Sequence, residues 1–177
     1  MMKLLIDTNV IIDFFADRAP HAVSSEKVIR LCDKEYAEGF LTASSVTDIY
    51  YILRKVVGRA AALKNIGRLL DMLEVASVGK SEVCAAMALD MPDFEDALAS
   101  VCAKHISADY IVTRNTKDFI NSSVPAITPN TLLSYKAIEA ELIRIEAEAG
   151  RVSYVTLEDF EKETEELLRK AEEEAES

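Results

Sequence analysis

The apolar positions fall in short blocks that alternate between continuous runs and a helical period. Lys3–Asp7 is an apolar run closed by a carboxylate, the pattern of a buried strand. Thr8 and Asn9 can cap a helix over about 10–17, which Ala19-Pro20 ends. Val23, Val28, Ile29, Leu31 and Cys32 carry helical spacing through 22–37. Gly39 breaks that pattern, and Phe40-Leu41-Thr42-Ala43 predicts a second strand. A helix beginning at Ser44 or Ser45 runs to about Val57, with Val46, Ile49, Tyr50, Leu53 and Val57 on its apolar face. Gly58 punctuates it, and a further helix is predicted over 60–73. Beyond it the spacing predicts a strand over 74–78, helices over 81–89 and 93–105, and a strand over 109–113. A short strand at Ala126-Ile127 and a helix over 131–149 follow.

Strands alternating with helices imply βαβ crossovers. The expected fold is therefore three-layer α/β/α, with a central, mainly parallel sheet and helices on both faces. In such sheets the functional site lies beyond the carboxyl ends of the strands. The residues following each strand are therefore the ones to read for chemistry. No internal repeat is present.

After Gly150 the pattern changes. Residues 151–155 suit a short extended segment, and Thr156 can cap a final acidic helix, with Asp159 at capping-box spacing. Leu157, Phe160, Leu167 and Leu168 give that helix an apolar stripe. The chain thus divides into a domain over 1–134 and an acidic helical C-terminal extension over 135–177.

Charge follows the same division. The net charge of −11 argues at first against a nucleic-acid partner, but residues 1–134 hold 14 basic and 17 acidic side chains, and 135–177 hold 6 and 14. Between Ile49 and Leu70 lie Arg54, Lys55, Arg59, Lys64 and Arg68 with no acidic residue, a local strip suited to phosphate contacts. The acidic extension can cover that strip, contribute to dimer contacts, or form a solvated helix. Half the residues are apolar, enough for a sizeable core. No apolar run approaches the roughly 20 residues of a membrane span, and Asp7 comes too early for a signal-peptide core. A soluble, cytoplasmic protein is expected. Cys32, Cys84 and Cys102 show no CxxC spacing and are expected to be buried reduced thiols.

Four strand–helix junctions carry polar groups of one kind. Asp7 closes the first strand. Asp48 follows the second, within about a turn of the helix start. Asp93, Glu95 and Asp96 open the helix before the last core strand, with Asp93 as the simplest cap and Asp96 on the same face. Thr113, Arg114, Asn115 and Asp118 leave that strand. Each has an ordinary explanation as a cap, a turn residue or a dipole partner. Together they repel one another unless a cation compensates, and an oxygen-only donor set suits Mg²⁺ or Mn²⁺ rather than zinc. Neither His21 nor His105 has a partner for zinc or for nucleophilic catalysis, and no glycine-rich nucleotide loop is present.

The segments Leu5-Ile6-Asp7-Thr8-Asn9, Ala43–Asp48, Glu95-Asp96-Ala97-Leu98 and Ile111-Val112-Thr113-Arg114-Asn115 with Asp118-Phe119 resemble, in order, the motifs of the PIN-domain family. Ser45-Val46-Thr47-Asp48-Ile49-Tyr50-Tyr51 and Thr113–Phe119 resemble its VapC-type toxin branch. The resemblance spans about residues 3–133. It implies a PIN-like, Rossmann-like sheet and Mg²⁺- or Mn²⁺-dependent endoribonuclease activity as the toxin of a toxin–antitoxin pair. It further implies an antitoxin partner and homodimerisation; no membrane association is expected, from the lack of a long apolar run. By motif position Asp7, Asp48 and Asp96 are the first three acidic residues of such a site, and Asn115 falls where many members carry Asp. Asp118 can supply the missing charge, which gives a metal set of Asp7, Asp48, Asp96 and Asp118, with Asn115 in an orienting role. Asp48 is one methylene shorter than the Glu common at its position, so it can reach a metal through water. Arg54, Lys55, Arg59 and Arg114 are the candidate substrate contacts. The displaced fourth carboxylate leaves a non-cleaving RNA-binding or regulatory PIN module as the alternative. A carboxylate–Mg²⁺ phosphatase is a further one, against which Asp7-Thr8-Asn9 lacks the Asp-x-Asp signature.

Overall fold

The computed structural model describes residues 1–148. The expected segment 151–155, the Thr156-capped helix and most of the extension lie outside the described residues. Five strands form one sheet: β1 (Met2–Ile6), β2 (Ala37–Thr42), β3 (Glu74–Ala76), β4 (Tyr110–Val112) and β5 (Ala126–Ile127). Their order is β3-β2-β1-β4-β5, and every pairing is parallel. The chain works outward from β1 to β2 and β3, then returns to place β4 on the other side of β1. The gap between β1 and β4 is therefore the topological switch point, where crossovers leave in opposite directions and open a crevice.

Side-chain alternation along the strands builds two cores. Leu4 and Ile6 of β1 and Val112 of β4 face one core, while Leu5 and Ile111 face the other. The first core is closed by α1 (Thr8–Phe15), α2 (Ala22–Asp33), α3 (Ala43–Met72), α6 (Pro129–Leu133) and α7 (Lys136–Glu148). The second is closed by α4 (Lys80–Met87), α5 (Phe94–His105) and a 3₁₀ turn at Thr116–Phe119. The expected three-layer α/β/α arrangement is present. Ile138, Leu142 and Ile145 of α7 join the first core, so the described part of the extension packs against the domain.

Boundaries moved where packing overrode local signals. Gly39 lies inside β2 rather than ending a helix: a Cβ there would collide with the side chains of Leu73 and Cys32, so this glycine lets α2 and the end of α3 approach the strand closely. Asp7 rather than Thr8 or Asn9 occupies the position before α1, and Thr42 rather than Ser44 or Ser45 caps α3 by accepting the Ser45 N–H at 3.1 Å. The two helices expected around Gly58 are two arms of α3, joined where Gly58 adopts φ 77°, a conformation open to glycine. The helix expected over 131–149 is two helices: Thr128 caps α6, Pro129 occupies its first turn, and α7 begins afresh at Lys136. Of the thiols, Cys32 and Cys102 are buried as expected, but Cys84 is exposed on α4. Burial, reinforced by Asp33, pushes the Cys32 thiol up to about 12, and burial with Glu82 nearby pushes Cys102 to about 11, so both stay protonated.

Replacing Gly39 by valine is expected to lower stability by about 1–3 kcal/mol through overpacking. Urea unfolding measures it; wild-type stability in that variant would contradict the close approach described.

Candidate active site

Asp7 is set at the switch point by backbone pairing, its N–H donating to Val112 O at 3.0 Å. Its carboxylate is then oriented by side chains from α1 and from the end of β4. Thr113 Oγ1 donates to Asp7 Oδ2 at 2.6 Å, and Asn9 Nδ2 donates to the same oxygen. Asn9 also donates to Thr113 Oγ1 at 3.1 Å and accepts the Arg114 N–H at 3.2 Å. Thr113 is fully buried and further accepts the Asn115 N–H at 3.0 Å. One small network thus fixes the carboxylate that ends β1 and the chain that leaves β4.

The opening of α5 supplies the facing acids. Asp93 caps the helix, accepting the N–H groups of Glu95 at 2.7 Å and Asp96 at 3.2 Å. Thr8 at the start of α1 donates to Glu95 Oε1 at 3.1 Å, which ties the two helix starts together. The result is an open cleft of about 540 Å³ lined by Asp7, Thr8, Asn9, Asp93, Glu95 and Asp96, with Arg18, Arg114, Asn115 and Asp118 on its walls and Ile12, Ile52 and Pro92 as apolar lining.

Of the residues expected from sequence, Asp7, Asp96, Asn115, Asp118 and Arg114 therefore come together. Asp48 does not line the cleft, though Ile52 one turn further along α3 does, and the Asp48 charge is near enough to act on Glu95. Arg54, Lys55 and Arg59 are exposed on α3 around the Gly58 break and stand outside the cleft. His21 and His105 also lie elsewhere; His105 Nδ1 approaches Glu82 Oε1 at 2.8 Å. Reasoning from sequence missed Arg18 and the fully buried Asp13. Arg18 carries no local signal beyond a basic residue in a loop. Asp13, set between Ile12 and Phe14-Phe15 in an apolar helix, is a charge that packing must face inward.

The electrostatics are those of crowded like charges. Burial raises Asp7, and the Thr113 hydroxyl, backbone groups and Arg114 only partly offset it. Glu95 is raised by burial and then by Asp48, Asp7 and Asp93, against the opposing Thr8 hydrogen bond. Asp96 is pushed up to about 7, first by burial and then by Asp7, Asp93, Asp118 and Glu95. Among the described residues no three carboxylate, imidazole or thiol groups already converge as a finished metal cage. The donor set nevertheless suits a hard divalent cation: it is oxygen-only, acid-rich and destabilised by its own charge.

A carboxyl whose pKa is raised in the fold favours its protonated form there. The stability associated with Asp96 is then fully present at low pH and lost as pH rises through about 7. In chelator, Asp96→Asn is expected to gain in melting temperature relative to wild type across that rise, and Mg²⁺ should narrow the difference. A pH-independent difference between the two proteins would contradict the repulsion.

Residues 3–117 match the family described as PIN domain. The chain is 30% identical over 131 residues to ribonuclease VapC1 of Aquifex aeolicus, covering 71% of this chain and 90% of that protein. In fold it is similar to VapBC2 from Rickettsia felis bound to a promoter DNA fragment (TM-score 0.58, 16% identity, 72% of this chain and 98% of that one). It is likewise similar to DNA-bound VapBC from Salmonella typhimurium (TM-score 0.57, 15% identity, 73% and 99%). The switch-point cleft, its ordered motifs and these matches agree: the chain belongs to the PIN-domain family.

Proposed function

We propose that this protein is a ribonuclease that hydrolyses RNA phosphodiester bonds with Mg²⁺ or Mn²⁺, acting in the cytoplasm as the toxin of a toxin–antitoxin pair. The observation that carries the reading is the crowding of Asp7, Glu95, Asp96 and Asp118 in one open cleft, where burial raises Asp7, Glu95 and Asp96 and neighbouring acids raise Glu95 and Asp96 further. RNA as substrate rests on the relationship to a protein named as a ribonuclease.

Asp7 and Asp96 would hold the principal ion, with Asp48 in reach through water and Asp118 supplying the charge that Asn115 lacks. A divalent cation held there would lower the pKa of water and neutralise charge on the phosphate. The protein's own part is mostly positioning. Thr113 and Asn9 fix the Asp7 carboxylate, Asp93 holds the first turn of α5, and the Asn115 amide can orient the attacking water. Arg114 is placed to meet a phosphate oxygen, and Arg54, Lys55 and Arg59 can follow the RNA backbone where it leaves the cleft.

Tyr51, Ile52 and Val56 before the Gly58 break and Leu63 and Leu70 after it are exposed apolar side chains on α3, suited to contact with an antitoxin or a second copy of this chain. No helix among the described residues is long and apolar enough to cross a membrane. The non-cleaving alternative draws on Asn115 alone, and Asp118 in the same cleft weighs against it.

Purified protein should degrade RNA with Mg²⁺ or Mn²⁺ and stop on addition of chelator. Asp7→Asn should reduce the rate by about a hundredfold or more while keeping the wild-type circular dichroism spectrum. Cleavage by Asp7→Asn at the wild-type rate would remove the assignment. RNA binding without turnover in wild type would establish the non-cleaving reading instead.

A further inference from the structure

Asp13 has no part in the chemistry above, yet it is fully buried in the middle of α1, between residues that belong to the first core. Neither of its carboxylate oxygens accepts a hydrogen bond. Among the described residues its one charged partner is Arg114, whose Nε lies 3.1 Å from Asp13 Oδ2, out of line for a hydrogen bond. A buried carboxylate with a single ionic partner is costly to the fold and is held there by that partner. Arg114 is itself only partly buried and lines the cleft, near enough to Asp7 to lower its pKa. The guanidinium therefore spans from the buried acid to the open site. Its planar fork can use one edge on Asp13 and keep others for an anion.

A second cation reaches the same cleft through the backbone. After α1 the chain turns at Asp17, which adopts φ 43°, and the Arg18 N–H donates to the Asp13 carbonyl at 3.1 Å. That turn brings Arg18 to the wall of the cleft that Arg114 lines. Arg18 is exposed and makes no ion pair among the described residues. Arg18 and Arg114 give one wall of an otherwise acidic cleft the positive charge that an anionic ligand needs to bind there. A phosphodiester backbone is such a ligand.

The geometry points to a two-arginine phosphate clamp, Arg18 and Arg114, with Arg114 held in place by the buried positioning residue Asp13. This rests on the ribonuclease reading of the cleft and adds how the RNA backbone is gripped beside the acids. The clamp binds a phosphate flanking the one that is cleaved and contributes to binding more than to the bond-breaking step.

The test uses the full chain carrying Asp7→Asn, a fluorescein-labelled single-stranded RNA oligonucleotide and Mg²⁺, with anisotropy read across a salt titration. Arg18→Ala and Arg114→Ala should each weaken binding several-fold and each reduce the slope of log affinity against log salt by about 0.7, one phosphate contact on a single strand. Asp13→Asn should weaken binding as much as Arg114→Ala does and add nothing to it in the double variant. An unchanged salt slope in either arginine variant, or additive losses for Asp13→Asn and Arg114→Ala, would overturn the clamp. If Asp13→Asn does not fold, the Arg114 Nε–H resonance of wild type decides. A resonance slow to exchange supports the clamp; one that averages with the exposed arginines refutes it. Wild-type cleavage is assayed in parallel. Cleavage with unchanged slopes removes the clamp alone. Loss of slope without any wild-type cleavage keeps the clamp and removes the ribonuclease reading.

Discussion

Mutual repulsion among the carboxylates at the switch point is the constraint on which the rest of the structure depends. Asp7 closes β1, and Glu95 and Asp96 follow the Asp93 cap of α5. These elements meet only because β1 lies between β2 and β4 in a parallel sheet. A fold that assembles such charges must hold them in place. It does so with hydroxyl and amide donors: Thr113 and Asn9 on Asp7, and Thr8 on Glu95. Those donors orient Asp7 and Glu95, while Asp96 is raised to about 7, first by burial and then by the acids around it.

The fold serves this site through two packing conditions. One is the close approach at Gly39, which seats α2 and the end of α3 against β2. The other is α1, whose buried residues fill the first core immediately after Asp7, so that Asp7 at its cap position and Asn9 in its first turn are set by a rigid element rather than a loop. Rigid support matters because ion and phosphate positioning tolerate little displacement. The 3₁₀ turn after β4 plays the corresponding part for Asp118, anchored by the buried Phe119.

Much of this was legible in the chain. The alternation of apolar runs and helical spacing is enough to predict a parallel three-layer sheet, because period and length together separate strands from helices. The caps Asp93 and the break at Gly58 follow from local chemistry and are present. What local chemistry does not carry is register and close approach. Gly39 looked like a helix stop because its role depends on Leu73 and Cys32, far apart in sequence. Thr128-Pro129 divides the last helical stretch, although Leu132, Leu133, Ile138 and Leu142 keep an apolar period across the break. At the site, residues that follow strands were found and those that arrive by packing were not. Asp48 stands back from the cleft because α3 carries Ile52 rather than the acid to its wall. Asp13 and Arg18 belong to the site through a buried ion pair and a turn, neither of which has a motif.

The central claim is that this repulsive cluster is a divalent-cation site, and the most direct measurement is anomalous diffraction from crystals grown with Mn²⁺. The account predicts an anomalous peak between Asp7 and Asp96, with the Asp96 and Asp118 carboxylates turned toward it. A well-ordered cleft with no peak, or a peak bound only at another place on the protein, would contradict it.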